Sequence, residues 1–228
     1  MEISQNNPDA LNDMKIENNP GKDFLFFLWD LFKTFIIVFI IAFVIRYFII
    51  QPFVVEGGSM MPNFVDREYL LVEKLSYMLG QPKRGDVVVF KYPANPSTNF
   101  IKRIIGLPGE KVEISNNTVK IFNNQYPDGV IIDEYKYLSR DIKTLPPENE
   151  ILSTTLDQNS YFVMGDNREH SSDSREWGIL PKENIIGRTW LTIKPLNRFG
   201  LHKHIKYDEL SYQSIIRLAH QFKLTRDR

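Results

Sequence analysis

The stretch KVEISNNTVKIF, Lys111 to Phe122, decides the fold class. Val112 and Ile114 alternate with polar residues before Asn116-Asn117, and Val119 and Ile121 do the same after it. A period of two belongs to a strand with one buried face. The asparagine pair supplies the turn, because Asn tolerates the positive φ that tight hairpins require. Working outward, short strand-length runs recur at Tyr69–Val72, Asp86–Phe90 and Tyr161–Met164, bounded by Gly, Pro and Asp. Residues 51–195 therefore read as one all-β domain. Between Asn123 and Ser160 the pattern loosens around a Tyr126-Pro-Asp-Gly129 turn and a Leu145-Pro-Pro-Glu break, and this stretch reads as an excursion from that domain.

Upstream, the class changes. From Thr34 to Ile45 the chain runs TFIIVFIIAFVI, and after Arg46 it continues YFII to Ile50. At about 1.5 Å per residue the 34–50 stretch covers roughly 25 Å, and the apolar FLFFLW run before it adds length. A helix apolar on every face with aromatics at both ends is a membrane span rather than a core helix. Arg46 near one end and Asp30 and Lys33 near the other are placed to reach the headgroups. Residues 24–50 are thus expected to anchor the chain in a lipid bilayer. Residues 1–23, polar and without aromatics up to Lys22, read as a disordered tail on the cytoplasmic side. Residues 196–228 form a C-terminal tail, partly helical, with apolar spacing at Ile215, Ile216, Ala219 and Phe222. Lysines and arginines flank the span on both sides, so charge alone does not orient it.

Lys+Arg and Asp+Glu both total 28, which leaves no basic surplus for a nucleic-acid partner. The absence of cysteine removes disulfides, thiolate metal sites and cysteine nucleophiles together. The four histidines make no H-E-x-x-H pattern, and His202 and His204 read as part of a solvated loop, so no metal and no cofactor are expected.

Three clusters carry candidate chemistry. The first is Glu56-Gly57-Gly58-Ser59-Met60-Met61-Pro62, a serine on backbone that can bend sharply, or an ordinary Gly-Ser loop. The second is the run FIKRIIGLPG from Phe100, where alternation puts Lys102 on one face and Ile101 and Arg103 on the other. A lysine among apolar neighbours in a strand is either a charged edge residue or a desolvated amine of lowered pKa. The third, GDNREHSSDSR from Gly165, is dense enough in polar side chains to be held by its own hydrogen bonds and ion pairs. It lacks the order of a calcium-binding loop.

In order along the chain, QPFVVEGGSMMP after the anchor, RGDVVVFKYP at Arg84, KRIIGLPGE at Lys102 and GDNREHSSDSREWG at Gly165 resemble the successive motifs of the type I signal peptidases, or leader peptidases. The resemblance covers about residues 35–195. It implies a signal-peptidase-like β fold with a Ser/Lys dyad: Ser59 as nucleophile and Lys102 as general base. Ser171 would orient the Lys102 amine, and Arg103 would pair with Asp166 and Asp173 with Arg175. The Ser59 N–H would face the oxyanion. Phe53, Val54, Met60, Phe100 and Ile101 would line shallow apolar pockets that select Ala-x-Ala. The substrates implied are secretory preproteins, bound as an added strand, cut by a domain on the extracytoplasmic side of the cell membrane. The few residues between Ile50 and Ser59 would keep the site near the bilayer surface.

Two departures stand out. Many members have Pro-Ser-Gly-Ser-Met, whose first serine donates a second hydrogen bond to the oxyanion, whereas this chain has Glu56 and Gly57 there and lacks that hydroxyl. The usual Glu before Pro-Phe is Gln51. Three other readings compete: a self-cleaving repressor-type peptidase, which the membrane span argues against; a triad of Ser59, His170 and Asp166; and a tethered module that binds exported peptides without cutting them.

Overall fold

The computed structural model describes residues 20–146, 150–202, 204–205 and 207. The chain divides between Arg46 and Tyr47 into two units. In the first, helix α1 spans Pro20–Val44, starting four residues before the expected boundary; a wider helical turn follows at Ile45–Ile49, where the division falls. Residues 21–48 are exposed on every face, phenylalanines, isoleucines and leucines included. The 29-residue stretch Gly21–Ile49 has the length and composition to cross a membrane, since about 44 Å of helix exceeds a hydrocarbon core of about 30 Å. Three of its polar side chains have local partners. Lys33 pairs with Asp30 at 2.7 Å, and Thr34 Oγ1 donates to the Asp30 carbonyl.

The second unit is built on two sheets. Its strands are β1 (Ile50–Val54), β2 (Tyr69–Glu73), β3 (Val87–Tyr92), β4 (Asn95–Gly106), β5 (Lys111–Ser115), β6 (Thr118–Phe122), β7 (Val130–Ile131), β8 (Leu152–Thr155), β9 (Ser160–Met164), β10 (Leu180–Pro181), β11 (Ile185–Lys194) and β12 (Gly200–Leu201). The main sheet runs β1-β2-β11-β3-β4-β9-β10 with β12 added to β11, and a smaller sheet runs β7-β6-β5-β8. The short helices α2 (Leu75–Leu79) and α3 (Ser174–Trp177) complete it.

The hairpin expected at Lys111–Phe122 is β5-β6, with Ser115 paired to Thr118 across a two-residue turn. Asn116 and Asn117 both hold positive φ there, 47° and 61°. Val112, Ile114, Val119 and Ile121 all turn inward, onto Ile105, Phe162 and Met164 of β4 and β9. This contact joins the small sheet to the main one as a second layer, and the excursion between Asn123 and Ser160 adds its outer strands β7 and β8. Strand β3 shows why Val87 to Phe90 lacks alternation. Val87 and Val89 pack in one cluster with Ile101, Val88 and Phe90 in another with Ile104, and a strand buried on both faces is apolar throughout.

The C-terminal tail expected from residue 196 begins inside this unit. Strand β12 pairs with β11, and Nε2 of His202 lies 2.7 Å from the Thr192 hydroxyl. His204 Nδ1 lies 2.8 Å from Asp86 Oδ1. These histidines lie in irregular backbone and keep part of their surface in water, but each also has a side-chain partner that the solvated-loop expectation did not include. The expected C-terminal helix and most of the N-terminal tail lie outside the described residues.

Candidate active site

Ser59 sits in the loop between β1 and β2, Lys102 in the middle of β4, and the third cluster in the loop that leaves β9. Hydrogen bonds from Val55 N–H to the Glu68 carbonyl and from Arg67 N–H to the Val55 carbonyl close the first loop at its base. Gly57 takes φ +83°, where a side chain would be strained, and its N–H donates to Asp66 Oδ1 at 2.8 Å. The loop thereby turns Ser59 toward β4.

Lys102 Nζ lies 2.8 Å from Ser59 Oγ and 3.0 Å from the Ile101 carbonyl oxygen. The lysine is 3% exposed, and its Nζ stands 5.1 Å from the Phe100 ring. Burial penalises the ammonium form and lowers the Lys102 pKa to about 8, against the opposing pull of Asp173 and Asp166. The strand alternation holds: Ile101 joins the core cluster of Val87 and Val89, while Phe100 and Ile104, which share Lys102's parity, join the other.

The third loop is pinned by two forked ion pairs. Arg103 Nε and Nη2 reach the two Asp166 oxygens at 2.8 and 2.6 Å, with both residues buried. Arg175 grips Asp173 in the same way at 2.9 and 2.8 Å, and Asp173 Oδ2 also accepts from Gly165 N–H. A Cβ at Gly165 would collide with Ser171 Oγ and the Ser59 carbonyl, so only glycine lets the first and third loops meet here. They meet through Asn167. Its N–H donates to the Ser59 carbonyl and its side-chain amide to the Gly58 carbonyl, each at 3.0 Å. The Ser59 N–H itself donates to no described residue, whereas that of Gly57 is engaged by Asp66.

Two expected roles differ in the structure. Ser171 Oγ is buried without a hydrogen-bond partner among the described residues, so Lys102 is held by Ser59 and the Ile101 carbonyl rather than by Ser171. Met60 is fully buried in the core with Val55 and Phe64. The turn after Ser59 breaks the period of two and drives its side chain inward. The remaining expected lining residues, Phe53, Val54, Phe100 and Ile101, do border a groove of about 750 Å³ that also takes in Ser59, Lys102, Glu56 and His170.

Several supporting residues escape a reading by motif. Asn63 Nδ2 donates to Asp166 Oδ2 at 2.8 Å and to the Tyr137 carbonyl at 2.9 Å. Arg168, buried, forks onto Glu134 at 2.6 and 2.8 Å and donates to Thr144 Oγ1. Glu134, Tyr137 and Thr144 belong to the aperiodic excursion, so only the polar density around Arg168 hinted at partners. Among the described residues no group of three or more His, Asp or Glu side chains is arranged to hold a metal ion.

The match to known proteins follows the same residues. The model of the family "Signal peptidase, peptidase S26" matches residues 28–193. A probable signal peptidase I-1 of Synechocystis is 32% identical over 192 residues, covering 81% of this chain and 92% of its own length. Signal peptidase I of Leptolyngbya laminosa is 37% identical over 176 residues, 74% of this chain and 80% of its own. Signal peptidase IB of Staphylococcus aureus is 33% identical over 170 residues, 72% and 87% respectively. With Ser59 and Lys102 in contact inside the matched stretch, the chain belongs to the signal peptidase family of peptidases, peptidase S26.

Proposed function

We propose that this chain removes N-terminal signal peptides from exported preproteins, cutting after small residues in an Ala-x-Ala pattern through a Ser59 acyl-enzyme with Lys102 as general base. The observation that carries the reading is the 2.8 Å approach of a buried lysine amine to a serine hydroxyl in an apolar groove. Neutral Lys102 takes the Ser59 proton as Oγ attacks the scissile carbonyl. The Ser59 N–H, which has no acceptor among the described residues, would donate to the developing oxyanion. Protonated Lys102 then gives its proton to the leaving amine, and the mature protein departs. Lys102 next accepts a proton from water, whose hydroxide attacks the ester; as the bond to Ser59 Oγ breaks, Lys102 returns that proton to Oγ, and the signal peptide leaves with a new carboxyl terminus.

Phe53, Val54, Phe100 and Ile101 form the walls that admit small side chains. Strand β1 pairs only with β2 among the described strands, which leaves its other edge open to an extended substrate. The apolar helix over Gly21–Ile49 supplies the anchor, and a substrate exported across the membrane calls for the catalytic domain on the extracytoplasmic face. The test is to incubate the purified chain in detergent with a preprotein carrying Ala-x-Ala and to map the products by mass spectrometry. Cleavage after the second alanine, lost when that alanine becomes leucine, is expected. A preprotein that binds and stays intact would replace this reading with the binding module.

A further inference from the structure

Tyr137 lies outside every cluster singled out in the sequence, yet the buried charges of the site converge on it. Arg103 Cζ stands 4.2 Å from the centroid of its ring, and Arg168 Cζ stands 5.9 Å away. Its hydroxyl donates to Glu134 Oε1 at 2.7 Å and accepts from Arg168 Nη2 at 3.0 Å. Its carbonyl accepts from the Asn63 amide that also binds Asp166. Tyr207 meets the ring edge-on, with centroids 6.1 Å apart. Burial first, and Glu134 second, hold the hydroxyl well above the ordinary tyrosine range, so it stays a donor.

We propose that Tyr137 is a positioning residue for the Ser59–Lys102 pair, its ring face fixing the Arg103 guanidinium in the plane that neutralises Asp166 and so limits the charge that Lys102 feels. This rests on the dyad reading above. The charges that bear on Lys102 are Asp173 and Asp166 of the third loop, paired with Arg175 and Arg103, and the titratable groups that share its groove are Glu56 and His170. Burial favours the neutral amine and the two carboxylates oppose it. A guanidinium that slackens over the ring covers Asp166 less well and leaves Lys102 more readily protonated.

Because replacing Tyr137 with an aliphatic residue would leave a hole in the core, the test keeps its shape. Tyr137→Phe serves as the reference, and phenylalanines of increasing ring fluorination at 137 weaken the negative ring face stepwise. The Lys102 amine is titrated by NMR in lysine-labelled protein in detergent, its resonance assigned by its loss in Lys102→Met. In parallel, kcat and KM for a preprotein are followed against pH. The amine midpoint is expected to rise by about half a unit across the series, with about a threefold fall in kcat/KM at pH 7. KM should stay constant. A midpoint that does not move with fluorination overturns the inference, and so does a fall in activity that comes with no change in the pH profile. If no preprotein is cut at any pH, the dyad reading fails by itself, and the NMR series still decides whether the ring sets the amine.

Discussion

The lowered Lys102 amine makes the pH dependence of cleavage a quantitative test. With the midpoint at about 8 instead of 10.5, about a tenth of the protein carries a neutral base at pH 7 and about a hundredth at pH 6. Then kcat/KM should climb tenfold per unit up to about pH 7.5 and level off by about pH 9. The assay is cleavage of an Ala-x-Ala preprotein in detergent from pH 5.5 to 10, at substrate concentrations far below KM. Stability supplies an independent reading with a definite sign. Between about pH 8 and 10.5 the unfolded lysine binds a proton that the folded one does not, so folding gains stability as pH rises through that window. Below it the full cost of the buried ammonium remains, about 3 kcal/mol for a shift of this size. A limb that keeps rising tenfold per unit through pH 10 would mean an ordinary, solvated amine. An inflection well below pH 8 would point to a base other than Lys102, and either result would refute the reasoning.

Two further outcomes follow from the buried supports. Arg103→Met leaves Asp166 buried without its forked partner, a change expected to cost about 3 to 5 kcal/mol and visible as a lower midpoint in chemical denaturation of the wild-type and variant proteins. Gly165→Ala drives a methyl group into Ser171 Oγ and the Ser59 carbonyl. It should cost about 1 to 3 kcal/mol and remove most of kcat, because the loop that turns Ser59 toward Lys102 must yield; near wild-type turnover would contradict the close approach.

Legibility followed local pattern. The hairpin at Lys111–Phe122 could be read because strict alternation has one structural answer, and the Asp86–Phe90 run read as a strand by its length and its flanking Gly, Asp and Pro, not by periodicity. Ser59 and Lys102, 43 residues apart, share no spacing rule, and only the order of motifs joined them. Met60 went astray because a side chain one residue past a glycine-rich turn obeys no alternation. Glu134, Tyr137 and Thr144 were unreadable because their partners, Arg103 and Arg168, sit on other elements and the excursion has no period of its own. The histidines of the C-terminal segment looked solvated because local composition says nothing of Asp86 and Thr192 waiting across the sheet.

The most direct test of the central claim compares wild type, Ser59→Ala and Lys102→Met for cleavage of one preprotein, with the fold of each checked by thermal denaturation. The Ser59–Lys102 account predicts cutting by wild type and none by either folded variant. Near wild-type turnover in either one would contradict it.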